Sequence, residues 1–450
     1  MVAAPSTWTP ESWKSKVALQ QPVYESTAEL DEVVRQIAGL PPLVTSWEIA
    51  DLQAQLAEAA DGKRFILQGG DCAERFADCV PQLIANKMKI LMQMSLVLVH
   101  GTGKPVIRMG RFAGQYSKPR SDDFETQSGV TLPSYRGDNI NRPAFTPGDR
   151  RADPALLLRG YERAALTLNF VRSLARGGFA DLHHPEYWNL EFARDSPQSE
   201  AYHQIVKSVT GSLRFMENVL GVHSGQIRAV DFFTCHEALH LHYEHAQTHE
   251  VPHRPGYFNL STHFPWIGMR TAAPDGAHVE YFRGIANPIG IKIGPSCGRD
   301  QLLHLLDILH PVNEPGRLTL IHRLGCDRIE DHLPRLIEIV RSAGKKVVWV
   351  CDPMHGNTRM SAVGVKTRRF DDILRELELA IDIHASTGSY LGGVHFELTG
   401  EDVTECVGGA SGVKEDDLRG ENYRSEVDPR LNYNQSLEMA LLVARKLLAR

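Results

Sequence analysis

The sequence predicts an α/β protein of the (β/α)8, or TIM-barrel, class, and three observations predict it. Eight short apolar segments alternate in order with amphipathic helical runs, the sequence of elements such a barrel requires. Segments such as VVWV (Val347–Val350) are apolar and β-branched at consecutive positions, as strands covered on both faces must be. Each segment also ends in charged or ligand-capable residues, and the C-terminal strand ends are where barrels of this kind assemble their sites. An open doubly wound sheet is the competing arrangement of the same elements.

Taken in order, residues 1–45 are rich in Pro, Ser and Thr with one helical patch at Leu30–Leu40, and read as an N-terminal extension packed outside or a partner arm. The barrel is assigned to residues 46–450. After Trp47 the helical run EIADLQAQLAEAA leads to the first strand, Phe65–Gly70. The next strands are predicted at Pro105–Gly110, Gln226–Phe233, Tyr257–Phe264 and Ile289–Gly294. Arg317–Arg323, Lys346–Asp352 and Gly393–Gly400 complete the set. Helical runs between them include NKMKILMQMSLVLVH, ALLLRGYERAALTLNFVRSLA, LPRLIEIVRSA and FDDILRELELAIDIHA, and SLEMALLVARKLLAR closes the chain. Two irregularities stand out. The polar loop Arg111–Asp153 is unusually long, and a helical insertion at about residues 196–225 precedes the third strand; long ordered loops at a barrel end are more often functional than idle.

The chain has 450 residues, a formal charge of −6 and 42% hydrophobic residues, an ordinary globular composition. This balance argues against nucleic-acid binding through a basic face. No stretch approaches the ~18 apolar residues of a membrane span. The first residues lack an apolar signal core, so the expectation is a cytoplasmic protein. Seven cysteines scattered over the chain do not form a disulfide framework and fit a reducing compartment.

The predicted strand ends carry Asp71–Cys72, Arg111, His236–Glu237, His263, Lys292, Arg323, His355 and Glu397. Two chemistries are mixed there. Arg111, Arg270, Lys292 and Arg323, with Lys118, Arg120, Arg136 and Arg142 in the long loop, concentrate positive charge on an acidic chain. Guanidinium forks match carboxylate and phosphate, so small phosphorylated, carboxylated substrates are expected. Cys72, His355, Glu397 and either Asp402 or Asp428 offer S, N and O donors, a set suited to Mn, Fe, Co or Zn rather than Mg.

Other motifs compete. HEALH (residues 236–240) spells the H-E-x-x-H of zinc proteases, but it directly follows a strand and lacks a third ligand in the usual continuation. A helix start carrying solvated histidines is the expected reading. HGTGKP (residues 100–105) lacks the spacing of a phosphate loop and reads as a helix C-cap and turn.

The segments QGGDCAERF, GRFAGQYSKPRS, LPSYRGDNIN, HFPWIGMRT, DGAHVEYFRGIANPIGIKIGPS, CDPMHGNT, GGVHFELTGEDVTECVGGA and DPRLNYNQSLE closely resemble the class II 3-deoxy-D-arabino-heptulosonate 7-phosphate (DAHP) synthases. The resemblance runs from about Val44 to the C-terminus. It implies a (β/α)8 barrel that joins phosphoenolpyruvate (PEP) to D-erythrose 4-phosphate with release of phosphate, using one divalent metal such as Mn or Co, with Zn or Fe as alternatives. It implies Cys72, His355, Glu397 and Asp428 as metal ligands, which favours Asp428 over Asp402. It implies Arg111, Arg270, Lys292 and Arg323, with the backbone of Met269, as the PEP cradle, and Lys118, Arg120 and Ser121 as the holders of the sugar phosphate. Lys292, Arg323, Glu397 and His355 would then be the catalytic set, and a homo-oligomer, dimer or tetramer, with aromatic metabolite effectors would be in keeping. The chain departs from the pattern at Met269, where many relatives carry glutamate. Either a side-chain role in water or proton transfer is lost there, or only the backbone N–H serves the phosphate. Val427 likewise replaces a cysteine that some relatives place near Cys72, so no disulfide can form between these positions.

Overall fold

A computed structural model describes residues 8–181, 184–188, 199–220 and 230–449. Eight parallel strands close into a barrel. They are β1 (Phe65–Gly70), β2 (Val106–Arg111), β3 (Phe233–Glu237) and β4 (Phe264–Ile267), then β5 (Ile289–Ile293), β6 (Leu318–His322), β7 (Val348–Cys351) and β8 (Gly393–Glu397). Closure is made by β1, which pairs with β8 on one side (Gly70 opposite Glu397) and β2 on the other (Gly70 opposite Arg111). This register brings Glu397 and Arg111, remote in sequence, to the same height at the C-terminal rim.

Alternate strand residues sort into two layers. Ile66, Ile107, Met109, Phe233, Cys235, Phe264, Trp266, Ile321, Val348 and Val350 fill the interior. Leu52, Leu56 and Ala59 of the helix Ser46–Ala60 join the same cluster and plug the N-terminal end. A capping box, Thr45 with Glu48, starts that helix by satisfying its free N–H groups reciprocally. Leu67, Ile291, Leu320, Trp349 and Phe396 face outward against the helices, among them Pro81–Thr102 and the C-terminal Tyr433–Leu448. The Pro81–Thr102 helix stops at Gly103, whose positive φ of 64° makes the C-cap and turn expected of HGTGKP.

Six strands lie where the sequence places them, within three residues. Two do not. The third begins at Phe233 instead of ending there; residues 230–232 are irregular, and residues 226–229 lie outside the described residues. The fourth prediction, Tyr257–Phe264, divides in two: Arg254–Asn259 pairs antiparallel with Thr248–Val251 outside the barrel, and β4 starts only at Phe264. The break is an Asx turn, in which Asn259 Oδ1 accepts the Ser261 N–H at 2.9 Å. His263 therefore lies at the start of β4, not at its C-terminal end. Its Nδ1 accepts the Thr234 N–H at 2.9 Å, so it is no part of the rim. In the insertion, the helix Ser199–Leu220 is described; the flanking residues 196–198 and 221–225 are not. The extension contains the helix Thr27–Ala38, capped by Ser26.

Candidate active site at the barrel mouth

Four of the sequence-predicted donors converge at the C-terminal rim. The ligand atoms of Cys72, Glu397 and Asp428 all lie within 4.8 Å of one another. His355 Nε2 stands 3.0 Å from Glu397 Oε1. Asp352 orients this ring: its Oδ2 is 2.8 Å from His355 Nδ1, leaving Nε2 directed at the other donors, as a ligand histidine requires. A buried chain of ion pairs holds the two loops that bring Cys72 and Asp428. Arg430 Nη1 donates to Asp71 Oδ1 at 2.8 Å and Nη2 to Glu405 at 2.8 Å, while Lys87 closes on Asp71 at 2.5 Å.

A cation already stands among these donors. Lys118 Nζ donates to Glu397 Oε1 at 2.7 Å and lies 3.2 Å from Asp428 Oδ2 and 3.4 Å from His355 Nε2. The ammonium marks a place whose surroundings favour positive charge. Against the desolvation of full burial, His355, Lys118, Arg368 and Arg111 hold the Glu397 carboxyl well below its ordinary pKa. Asp428 is also held low, chiefly by Lys118 against the desolvation of burial. Burial and neighbouring Glu397 push the Cys72 thiol up to about 12, so it must lose its proton to act as a soft ligand. Two ionised carboxylates, a thiol and an imidazole fit a divalent transition metal.

Beside this quartet lies a ring of cations. Arg111 Nη2 donates to Glu397 Oε1 at 3.1 Å and its Nη1 lies 2.6 Å from His395 Nε2. Lys292 Nζ donates to Asp352 Oδ2 at 2.8 Å; burial lowers its pKa to about 8 despite Asp352. Both cations sit over the Trp266 ring, at 5.4 and 5.7 Å from its centroid. Arg323 Nη2 donates to the His355 carbonyl at 2.7 Å, and its Nη1 meets Met269 Sδ at 3.5 Å. The exposed Arg270 donates to Ser121 Oγ at 2.9 Å. The expected Lys118–Arg120–Ser121 group is thus divided: Lys118 is among the metal donors, Ser121 is with Arg270, and Arg120 donates to Glu125 at 2.7 Å.

The structure adds residues that the strand-end reading missed. Arg368, wholly buried, pairs with Glu397 Oε2 at 2.8 Å; it comes from a loop with no motif of its own. Behind the rim, Glu376 accepts the Leu324 N–H at 2.9 Å and the Asn357 side-chain amide at 2.7 Å, and Asn357 Oδ1 accepts the Cys326 N–H at 3.0 Å. This stitch ties the loop carrying Arg323 to the loop carrying His355.

HEALH is not a helical metal motif. His236 and Glu237 are the last residues of β3, and His240 caps the helix Leu241–Ala246. Nor are these histidines solvated: His236 is buried against Glu244 at 2.8 Å, and His240 is buried against the Tyr24 hydroxyl at 2.8 Å.

The barrel mouth thus sets four potential metal donors, Cys72, His355, Glu397 and Asp428, beside a ring of cationic side chains. The chain matches the Class-II DAHP synthetase family over residues 8–444 and belongs to that family. A phospho-2-dehydro-3-deoxyheptonate aldolase of Neurospora crassa is 47% identical over 453 residues, covering 97% of this chain and 94% of that protein. A protein of the same name from Streptomyces coelicolor is 47% identical over 434 residues, covering 96% of each.

Proposed function

We propose that this mouth condenses PEP with D-erythrose 4-phosphate and water to give DAHP and phosphate, the opening step of the shikimate pathway to aromatic compounds. The observation that carries the reading is the sharing of Glu397 between the donor quartet and the cations Lys118, Arg111 and Arg368, as expected of a mouth in which metal and anionic substrate would meet. Cys72, His355, Glu397 and Asp428 would hold the ion, Mn or Co, with Zn or Fe as alternatives. When bound, it supplies Lewis acidity to the aldehyde oxygen of the sugar phosphate. A divalent ion and the Lys118 ammonium cannot share one place, so loading the site frees Lys118 for substrate.

Arg111, Arg270, Lys292, Arg323 and the Met269 backbone hold the carboxylate and phosphate of PEP, so much of the rate gain comes from positioning. Lys118, Arg120 and Ser121 receive the phosphate of the second substrate, with Arg120 exchanging its Glu125 partner for it. C3 of PEP attacks the aldehyde carbon, positive charge develops at C2, and the carboxylates Glu397 and Asp428 stabilise it electrostatically. Water adds at C2, and the hemiketal phosphate loses phosphate by C–O cleavage.

No helix among the described residues is long and apolar enough to cross a membrane. Exposed Val17, Leu19 and Val23 on the extension support a homo-oligomer, dimer or tetramer, and the extension and the insertion are where aromatic effectors would act. The test is turnover: metal-loaded enzyme given both substrates should release one phosphate for each PEP consumed. PEP bound without phosphate release, at full metal occupancy, would contradict the reading.

A further inference from the structure

Arg136, a cation of the long loop, holds no substrate in the mouth described above, and the glutamine pair Gln20–Gln21 belongs to the N-terminal extension. The two meet. Arg136 runs beside the segment that carries Lys118, Arg120 and Ser121: the Lys118 N–H donates to the Arg136 carbonyl at 2.8 Å. A Cβ at Gly137 would stand 1.8 Å from the Tyr116 carbonyl oxygen, and φ there is 115°, so this approach needs glycine. Gln20 closes the outer end of the paired segments. Its Oε1 accepts the Arg120 backbone N–H at 2.9 Å and a hydrogen bond from Arg136 Nη1 at 3.0 Å. Both partners only donate, so an acceptor oxygen at this point is what joins them.

The contact does more than hold the extension down, because the extension is anchored without it. Trp8 Nε1 donates to the Glu280 carbonyl at 2.9 Å, and the Ala277 N–H donates to the Val17 carbonyl at 3.1 Å. Gln21 bonds the turn after β3 on both sides: its Nε2 donates to the Leu239 carbonyl at 2.7 Å and its Oε1 accepts the Leu241 N–H at 3.0 Å. Gln20 itself stands at a φ of 62°, a backbone conformation that a non-glycine residue keeps only where its surroundings impose it. On the other side of the contact, the Arg120 side chain is paired with Glu125. When that guanidinium leaves Glu125 for a phosphate, the bond from the Arg120 N–H to Gln20 is what keeps the backbone in place.

We propose that Gln20 is a positioning residue for the sugar phosphate. From the N-terminal extension it fixes the backbone at Arg120 and the guanidinium of Arg136, so the Arg120 side chain can exchange partners while its segment stays still. The inference rests on the reading of the mouth given above, and it makes the extension a working part of the site. Gln20 touches no substrate and moves no proton; its effect passes through Arg120 and the adjoining Ser121. The consequence is selective. Binding of erythrose 4-phosphate depends on Gln20, whereas PEP and the metal, held by residues of the barrel rim, do not.

The test uses full-length enzyme loaded with Mn²⁺, after wild type has been shown to turn over both substrates; absence of turnover in wild type would fall on the functional reading and not on Gln20. Gln20→Gly keeps the left-handed backbone without strain and removes only the acceptor. Its KM for erythrose 4-phosphate should rise on the order of tenfold, the loss of a hydrogen bond to a charged group. The KM for PEP, kcat at saturation, metal content and Tm should stay close to wild type. Gln21→Ala, which removes a contact of the same extension to a different loop, should leave the KM for erythrose 4-phosphate near wild type. An unchanged KM for erythrose 4-phosphate in Gln20→Gly would overturn the proposal. So would both KM values rising together, or Gln21→Ala reproducing the effect, since either result reports only that the extension has loosened.

Discussion

Two groups of donor side chains gather near the C-terminal ends of the barrel strands, one at the mouth and one on the outer face, and their settings differ. At the mouth are Cys72, Glu397 and Asp428 with His355; on the outer face of the sheet are His322, Cys351 and Glu376, whose donor atoms also lie within 4.8 Å of one another. The chemistry of the donors is similar, but their carboxyl groups differ in charge state. At the mouth, neighbouring cations keep both carboxylates ionised. On the outer face no cation answers the burial: the Glu376 carboxyl is pushed up to about 7, the Cys351 thiol well above its usual range, and the His322 imidazole down to about 3. Glu376 spends its oxygens on the Leu324 N–H and the Asn357 amide. Donor spacing is therefore common to both groups; what separates them is the ionisation of their carboxyl groups, and in the outer group Glu376 hydrogen-bonds two loops.

The sharpest way to probe that division is through the loops themselves. Replacing Arg323 by Ala removes a charge-assisted contact to substrate, worth about 1.5–3 kcal/mol. PEP kcat/KM should fall by on the order of 10- to 100-fold in steady-state assays, and near wild-type kinetics would remove Arg323 from the cradle. At the mouth, Cys72→Ser substitutes a harder donor, and competitive chelation should show metal affinity weakened by on the order of tenfold or more. An unchanged titration would take Cys72 out of the site.

The smallest effect belongs to the outer trio. Glu376→Gln should leave metal content unchanged and lower stability by about 1–2 kcal/mol through the disturbed stitch. Because the folded pKa of Glu376 lies above its ordinary value, its contribution is fully present below about 4.5 and is lost as pH rises through about 7. Thermal melts of wild type should lose stability over that window relative to the Gln variant; parallel pH profiles would show that Glu376 is not held neutral.

Much of this was legible in the sequence because a barrel converts order into position. Strand ends come together whatever their separation, so Cys72, Arg111, Lys292, Arg323, His355 and Glu397 could be read as one mouth. Asp428 follows no strand and was left level with Asp402 until the family pattern decided. What escaped depends on register and on loops. QIRAVDFF and YFNLSTHF are as apolar as true strands, while FPWI carries a proline that argues against one; the Asx turn at Asn259 settles the matter, and with it the place of His263. Arg368 reaches Glu397 from a loop.

The most direct measurement is metal stoichiometry coupled to turnover. Enzyme stripped with a chelator should be inactive, and titration with Mn²⁺ or Co²⁺ should restore phosphate release with a break at one ion per chain. The same break should appear in Glu376→Gln and be lost in Asp428→Asn. Full activity in the stripped enzyme, or a break that survives Asp428→Asn and disappears in Glu376→Gln, would contradict the assignment of the mouth quartet as the metal centre.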